Sequence, residues 1–360
     1  MHEISFVRLT NTISCPECRG KSKRFGYLKS GKRRYRCLSC SKTFVRERKK
    51  WGTPWQDFKD WYRYVKGRVN REELGDQRKR SRQTISSRFH VFLAAVASPE
   101  LVWGILPPHK TEEKWCYGVD GKWLHREGVF LIHRDITHKQ NLWWSYVPSE
   151  SYAAFDNDVK RLVRLLGTNT PASAVSDWKR AIQMAVGQYF GLIPHQRCLA
   201  HVIRYSNTLL PKRSPLLATR RLRAIGKSLL NVENDEEKGQ WLHLLTNWGY
   251  EYGHLLIEKT VVPSGSRRKW WYTHGSLRRG WRLLTTDTDS FFSFLTTSGL
   301  PKTNNSLEGV NRNLNGKLGD HRGLVISYQV SFLSWVMAFS RVHTDTQLKQ
   351  LWVEWKRRRL

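Results

Sequence analysis

The chain has 360 residues and a mass of 42.4 kDa, long enough for more than one hydrophobic core, and its hydrophobic content of 39% is ordinary for a folded protein. The charge is not: 62 Lys plus Arg against 30 Asp plus Glu give a formal net charge of +32 and a pI of about 10.3, so the surface must attract polyanions, with nucleic acid the expected partner. No apolar run approaches the ~18–20 residues that span a bilayer and no signal-peptide core is visible, which argues against a membrane partner and predicts a cytoplasmic, nucleoid-associated protein.

Residues 1–48 read as a zinc ribbon. Cys15-Pro-Glu-Cys18 and Cys37-Leu-Ser-Cys40 are two CxxC pairs separated by 18 residues, the spacing of a four-thiolate tetrahedral zinc site, with Gly20 and Gly31 expected to permit the turns. Two disulfides or a redox motif would be the alternative in an oxidising compartment. Between the pairs, Lys32, Arg33 and Arg34 alternate with aromatics, which suits a phosphate-binding face. Zinc would drive folding, since so short a segment cannot bury enough apolar surface unaided.

Residues 49–108 form a basic helical region with a helix-turn-helix pattern. Ser81 is placed to cap the second helix, Ile85, Phe89 and Phe92 fall on its buried face, and Arg82, Gln83, Thr84, Ser86, Ser87 and Arg88 face outward, where they can reach base edges and phosphates. An ordinary basic helical hairpin would look much the same. Leu101 to His109, with its paired prolines, reads as a linker.

Residues 109–205 are organised around Trp115 to Asp120, a buried strand ending in an acid. Val129–Ile136 and Asn141–Val147 suit partner strands of an antiparallel meander, and Tyr152 to Leu166 has helical spacing with Gly167 at its end. Ala172 to Ser176 then runs into a second strand-end acid, Asp177. Three strands, a helix and a strand is the opening of an α/β ribonuclease-H-like domain, and it sets Asp120 beside Asp177 if their strands are neighbours. A helix over 178–190 follows, and Cys198 and His201 lie where a strand turns into a helix.

Residues 206–302 break this pattern with helical candidates at 216–230, 235–259 and 275–285, an all-helical insertion. Its Trp241, Trp248, Trp270, Trp271 and Trp281 suit a helical core, the commoner fate, or stacking on distorted bases. Residues 303–360 return to the core. Asn305 or Ser306 is expected to cap a helix carrying Glu308 in its first turn, where an acid is favoured by the helix dipole whether or not it has chemistry to do. Val330 to Phe339 reads as a buried helix, and Lys356 to Arg359 as a basic tail.

The Val119-Asp120-Gly121 and Ser176-Asp177 strand ends, the Cys198-Leu-Ala-His201 CxxH motif, the helical insertion and Thr303-Asn-Asn-Ser-Leu-Glu308-Gly-Val-Asn-Arg312 together resemble the DDE transposases of the IS256 and Mutator-like type, some with an N-terminal zinc ribbon. The resemblance covers roughly 200 residues and leaves the N-terminal third to be read on its own. It implies that Asp120, Asp177 and Glu308 are catalytic and hold two Mg²⁺ (or Mn²⁺) ions per site, beside a structural Zn²⁺. It further implies terminal inverted repeats and target DNA as partners, Arg312 among the DNA contacts, and a homodimer or higher multimer on DNA. The role of the CxxH pair stays open, because two ligands make an incomplete zinc site. A zinc-ribbon regulator with an inactive ribonuclease-H-like domain, or a nuclease of this fold without joining activity, would share most of these features.

Overall fold

The computed structural model describes residues 13–45, 55–107, 114–261, 269–319, 321 and 323–358. The chain divides into two compact units, Met1–Pro54 and Trp55–Leu360. The first is a small antiparallel sheet of β1 (Ser22–Tyr27), β2 (Arg33–Cys37) and β3 (Thr43–Val45), in that order. Each CxxC pair lies on a tight turn closed by a backbone hydrogen bond of 2.9 Å, from Cys15 N–H to Gly20 C=O and from Cys37 N–H to Lys42 C=O. The left-handed residues are Arg19 and Ser41, each following the second cysteine of its pair, and neither is a glycine. Gly31 serves the β1–β2 hairpin, with φ of 75°. Gly20 is needed for space, since a Cβ there would meet Ser39 Oγ at 2.5 Å where the two turns approach.

In the second unit, α1 (Trp55–Val65), α2 (Arg71–Arg78), α3 (Arg82–Leu93) and α4 (Pro99–Trp103) come first. Asn70 forms a capping box with Glu73 at the start of α2, Lys79 ends it in the left-handed region, and Ser81 caps α3 through the Thr84 N–H. Ile85, Phe89 and Phe92 are buried as their spacing requires. The expected linker over 101–109 is in part helix: Leu101, Val102 and Trp103 of α4 are buried, while 108 and 109 lie outside the described residues.

A five-stranded mixed sheet follows. It is built from β4 (Cys116–Leu124), β5 (Gly128–Asp135), β6 (Gln140–Val147), β7 (Ser173–Ser176) and β8 (His195–Arg197), in the order β6-β5-β4-β7-β8. The meander β4-β5-β6 is antiparallel, whereas β7 and β8 run parallel to β4. The crossovers are α5 (Tyr152–Leu166) and α6 (Arg180–Phe190), which bury Phe155, Val159, Leu162, Ile182 and Val186 against Tyr117, Val119, Val129 and Leu131 on one face of the sheet.

The other face carries Phe130, Ile132 and Trp144. It packs on a core shared by α1, α3 and the later helices α12 (Asn305–Gly319), α13 (Ile326–Ser340) and α14 (Asp345–Arg357). Residues 55–107 therefore share their core with the sheet and with the C-terminal helices. Of the expected basic tail, Arg357 and Arg358 pair with Glu354 at the end of α14, and Arg359 lies outside the described residues.

Between β8 and α12 lies a third core, formed by α7 (Leu199–Leu209), α8 (Leu217–Ser228), α9 (Asp235–Tyr252), α10 (Gly275–Thr285) and the short α11 (Ser293–Thr296). It is not wholly helical. The expected helix over 235–259 stops at Tyr252, and a hairpin of β9 (Lys259–Val261) and β10 (Trp270–Tyr272) follows. No helix among the described residues is long and apolar enough to cross a membrane.

Candidate active site

Asp120 lies within β4, not at its end, because the strand continues to Leu124 alongside β5. It does stand just beyond the stretch paired with β7, where Cys116, Tyr117 and Gly118 oppose Ser173, Ala174 and Val175. The same register carried two residues further sets Asp120 level with Asp177, one residue past β7. Cys116, Gly118, Asp120 and Lys122 alternate onto one face of the sheet, as the pleat demands.

Helix α12 lies along that face. It begins at Asn305, so the expected caps are already helical, and the Asn304 carbonyl accepts from the Leu307 and Glu308 N–H groups at 3.0 and 3.1 Å. Asn304, Glu308, Asn311 and Asn315 form one stripe of the helix. Asn304 lies over Gly118, Asn311 Nδ2 donates to Asp120 Oδ2 at 2.7 Å, and Asn315 accepts from Lys122. Glu308 thus falls on the stripe between the positions opposite Gly118 and Asp120. Asn304 is 1% exposed and neither atom of its side-chain amide has a hydrogen-bond partner.

Helix α7 approaches the same acids. Its N-cap, Cys198, is buried, and its sulfur accepts from Asn304 N–H at 3.2 Å, fastening the start of α7 to the start of α12. One turn on, His201 faces the acids. Burial would lower its pKa, but the neighbouring Cys198 sulfur, then Asp120 and Asp177, outweigh that and raise it. Arg204, a further turn along, donates to Glu308 Oε1 at 2.6 Å. The CxxH motif therefore does two things: its cysteine joins two helices and its histidine stands beside the carboxylates, which favour its protonated form.

Three partners of the acids were not legible in the sequence: Glu150, Lys179 and Arg204. Lys179 Nζ sits 2.6 Å from Glu150 Oε2 and 2.8 Å from Asp177 Oδ2. Glu150 reaches this position because residue 121 is glycine, where a Cβ would stand 2.4 Å from its Oε1. Among the described residues, Asp120 accepts from two neutral groups, Gly121 N–H at 2.9 Å and Asn311. Burial, the largest influence on it, raises its pKa, and the charge of Asp177 adds to that against the opposing pull of His201, Gly121 and Lys179. The chain matches no protein-family model and no curated protein.

Among the described residues, Cys15, Cys18, Cys37 and Cys40 are the one set of three or more His, Cys, Asp or Glu whose ligand atoms all lie within 4.8 Å of one another. The carboxylates of Asp120, Asp177 and Glu308 do not form such a set. The thiols of the quartet approach to 3.7 Å (Cys15–Cys40) and 3.4 Å (Cys18–Cys37), near the ~3.8 Å edge of a tetrahedron with Zn–S bonds of ~2.3 Å. The Cys40 N–H pointing at its sulfur, with help from Ser39, holds the Cys37 pKa down to about 6, favouring the thiolate that zinc requires. Four such sulfurs can hold a structural zinc.

The residues read as DNA contacts divide by environment. On the ribbon, Arg33 lies over Tyr27 at 4.9 Å, and Arg34 and Arg36 over Phe25 at 5.1 and 5.4 Å, an exposed face of guanidinium and aromatic planes that Lys32 borders. On α3, Gln83 and Thr84 are exposed. Arg82 pairs with Glu72 at 3.3 Å, and Arg88 is tied to Asp57 of α1. Arg312 is exposed on α12. Of the insertion tryptophans, Trp241 and Trp248 are core and Trp281 stacks on Trp248, while Trp270 and Trp271 stand partly exposed on the β9–β10 hairpin.

Proposed function

We propose that this protein is a DDE transposase of an insertion sequence, with a ribonuclease-H-like catalytic core, that binds terminal inverted repeats and catalyses Mg-dependent DNA strand cleavage and strand transfer. The observation that supports this reading is that Asp120 and Asp177 stand level on adjacent parallel strands, with the helix that bears Glu308 lying beside Asp120. The strand order, with an antiparallel meander at one edge and two parallel strands beyond its first strand, supports the core assignment. A net charge of +32 supports a nucleic-acid substrate.

The donor set fits Mg²⁺ or Mn²⁺, which prefer carboxylate oxygens. Asp120 is half-buried, takes hydrogen bonds from the neutral Gly121 N–H and Asn311 amide, and is a carboxylate that a divalent cation would suit. Asp120, Asp177 and Glu308 would hold two such ions. Such a pair supplies an activated oxygen nucleophile and a stabilised leaving oxygen for transfer at phosphorus. The protein's own groups orient the acids: Asn311 fixes Asp120, Lys179 holds Asp177, and Arg204 holds Glu308. The N-terminal end of α7 brings its positive dipole end, with His201 one turn along, to where a phosphodiester would lie. The ribbon's basic-aromatic face and the outward side of α3 would bind the element ends, with the protein acting as a homodimer or higher multimer on DNA.

Incubation of the zinc-loaded protein with Mg²⁺ and labelled DNA carrying the element's ends tests this reading. Products with ends joined to target DNA are expected. Cleavage without joining would mark a nuclease, and binding without either would mark a regulator. Deleting residues 1–50 should abolish end-specific binding, and unchanged end recognition would refute the ribbon's part.

A further inference from the structure

We propose that Lys179 is a built-in counter-cation of the acid site: its ammonium holds Asp177 and a fourth carboxylate, Glu150, in the space a divalent cation would take, and must swing out before that cation binds. The inference rests on the reading of the acids as metal-holding. Several carboxylates gathered in a half-buried site repel one another and must be protonated, paired or bound to a metal. Lys179 meets that need with one charge shared between two acids, at 2.6 and 2.8 Å.

The partners differ in freedom. The side chains of Glu150 and Asp177 are 11% and 9% exposed, and that of Lys179 is 38%, so the lysine is the member able to leave. The missing Cβ at Gly121 brings Glu150 against the backbone next to Asp120, within the constellation. The turn that aims Lys179 inward is strained: Trp178 has φ of 69°, a costly conformation for a bulky side chain. It is held there by its N–H on Ser176 Oγ at 3.2 Å, its indole N–H on Asp287 Oδ2 at 2.9 Å, and its ring against His195. With Trp178 anchored, Asp177 and Lys179 are presented to the same side, and Asp177 Oδ1 also takes the Lys179 N–H at 3.2 Å. The built-in cation keeps the acids ordered when no metal is bound, and weakens metal binding as a consequence.

Mn²⁺ titration of the full, zinc-loaded chain, with free Mn²⁺ followed by electron paramagnetic resonance, tests this without relying on activity. Lys179→Met and Lys179→Gln should bind Mn²⁺ about tenfold more tightly than wild type, about 1.4 kcal/mol. Lys179→Arg should stay near wild type, and Asp177→Asn added to Lys179→Met should erase the gain. A merely structural lysine would not raise affinity when removed. If both neutral variants bind no more tightly while Asp120→Asn still abolishes binding, the acid site stands and the counter-cation is refuted. If wild-type binding is indifferent to Asp120→Asn, the metal-site reading fails and takes the inference with it.

Discussion

Asp158 offers a quantitative test of how the sheet that carries Asp120 is held. It lies on α5, is 1% exposed, and accepts from His133 Nε2 at 3.2 Å and from the Ser145 hydroxyl. His133 Nδ1 is 2.7 Å from the Tyr117 hydroxyl, so the satisfied arrangement has Tyr117 donating to Nδ1 and the Nε2–H donating to Asp158. One carboxylate thereby ties β4, β5 and β6 to the helix behind them. Asp158→Ala leaves the buried His133 Nε2–H unpaired, at about 1–3 kcal/mol, and the half-buried Ser145 hydroxyl unpaired at about 1 kcal/mol, and should destabilise the second unit by about 2–4 kcal/mol in total. Urea unfolding followed by tryptophan fluorescence reports on this unit, because all of the 17 tryptophans except Trp51 lie in residues 55–360. A loss below about 1 kcal/mol would refute the argument that these groups are dry and mutually dependent.

Other outcomes follow from the same geometry. His195, half-buried against Ser176 Oγ and Trp178, has its pKa lowered to about 4 by loss of hydration, against the opposing charge of Asp177. It is therefore neutral in the fold, and as pH falls below about 6.5 the unfolded chain takes a proton that the native chain refuses; roughly 3 kcal/mol should be lost by pH 4. His195→Gln should flatten that part of the stability–pH curve, and an unchanged slope would contradict it. Cys37→Ser should take zinc content from one ion per chain toward none and open residues 13–45 to protease, with the tryptophan signal of the other unit unchanged. Asn311→Ala should reduce strand transfer with end binding retained, since it frees the Asp120 carboxylate to rotate; lost end binding would give Asn311 a different role.

How much of this was readable from sequence depended on whether the controlling interaction was local. The helix over Tyr152–Leu166 and the start of α3 at its Ser81 cap are set by apolar spacing and side-chain caps, which the sequence displays. Asp120 read as a strand end, but its strand runs on because β5 continues to pair with it, a partner the local pattern does not reveal. The hairpin at 259–272 lies between the expected helices over 235–259 and 275–285, in a region read as all-helical, and its three-residue strands are too short to show an alternation. Glu150, Lys179 and Arg204 are ordinary charged residues in sequence, and they gain meaning only from what the fold brings to them. Gly121 was a usable clue, because a glycine directly after a site acid signals something close by. Asn311 was another, one turn from Glu308 and so on the same helical face. The ribbon's metal site was legible because four thiols at that spacing have few other uses, although its turns use Arg19 and Ser41 in the left-handed region where glycine was expected.

The central claim is that Asp120, Asp177 and Glu308 together perform phosphodiester transfer. It is tested most directly by strand-transfer yield on labelled element ends with Mg²⁺ for Asp120→Asn, Asp177→Asn and Glu308→Gln, each with end binding measured in parallel. The account predicts that joined product falls to background in all three while end binding persists. Wild-type yield from any one of them would contradict it.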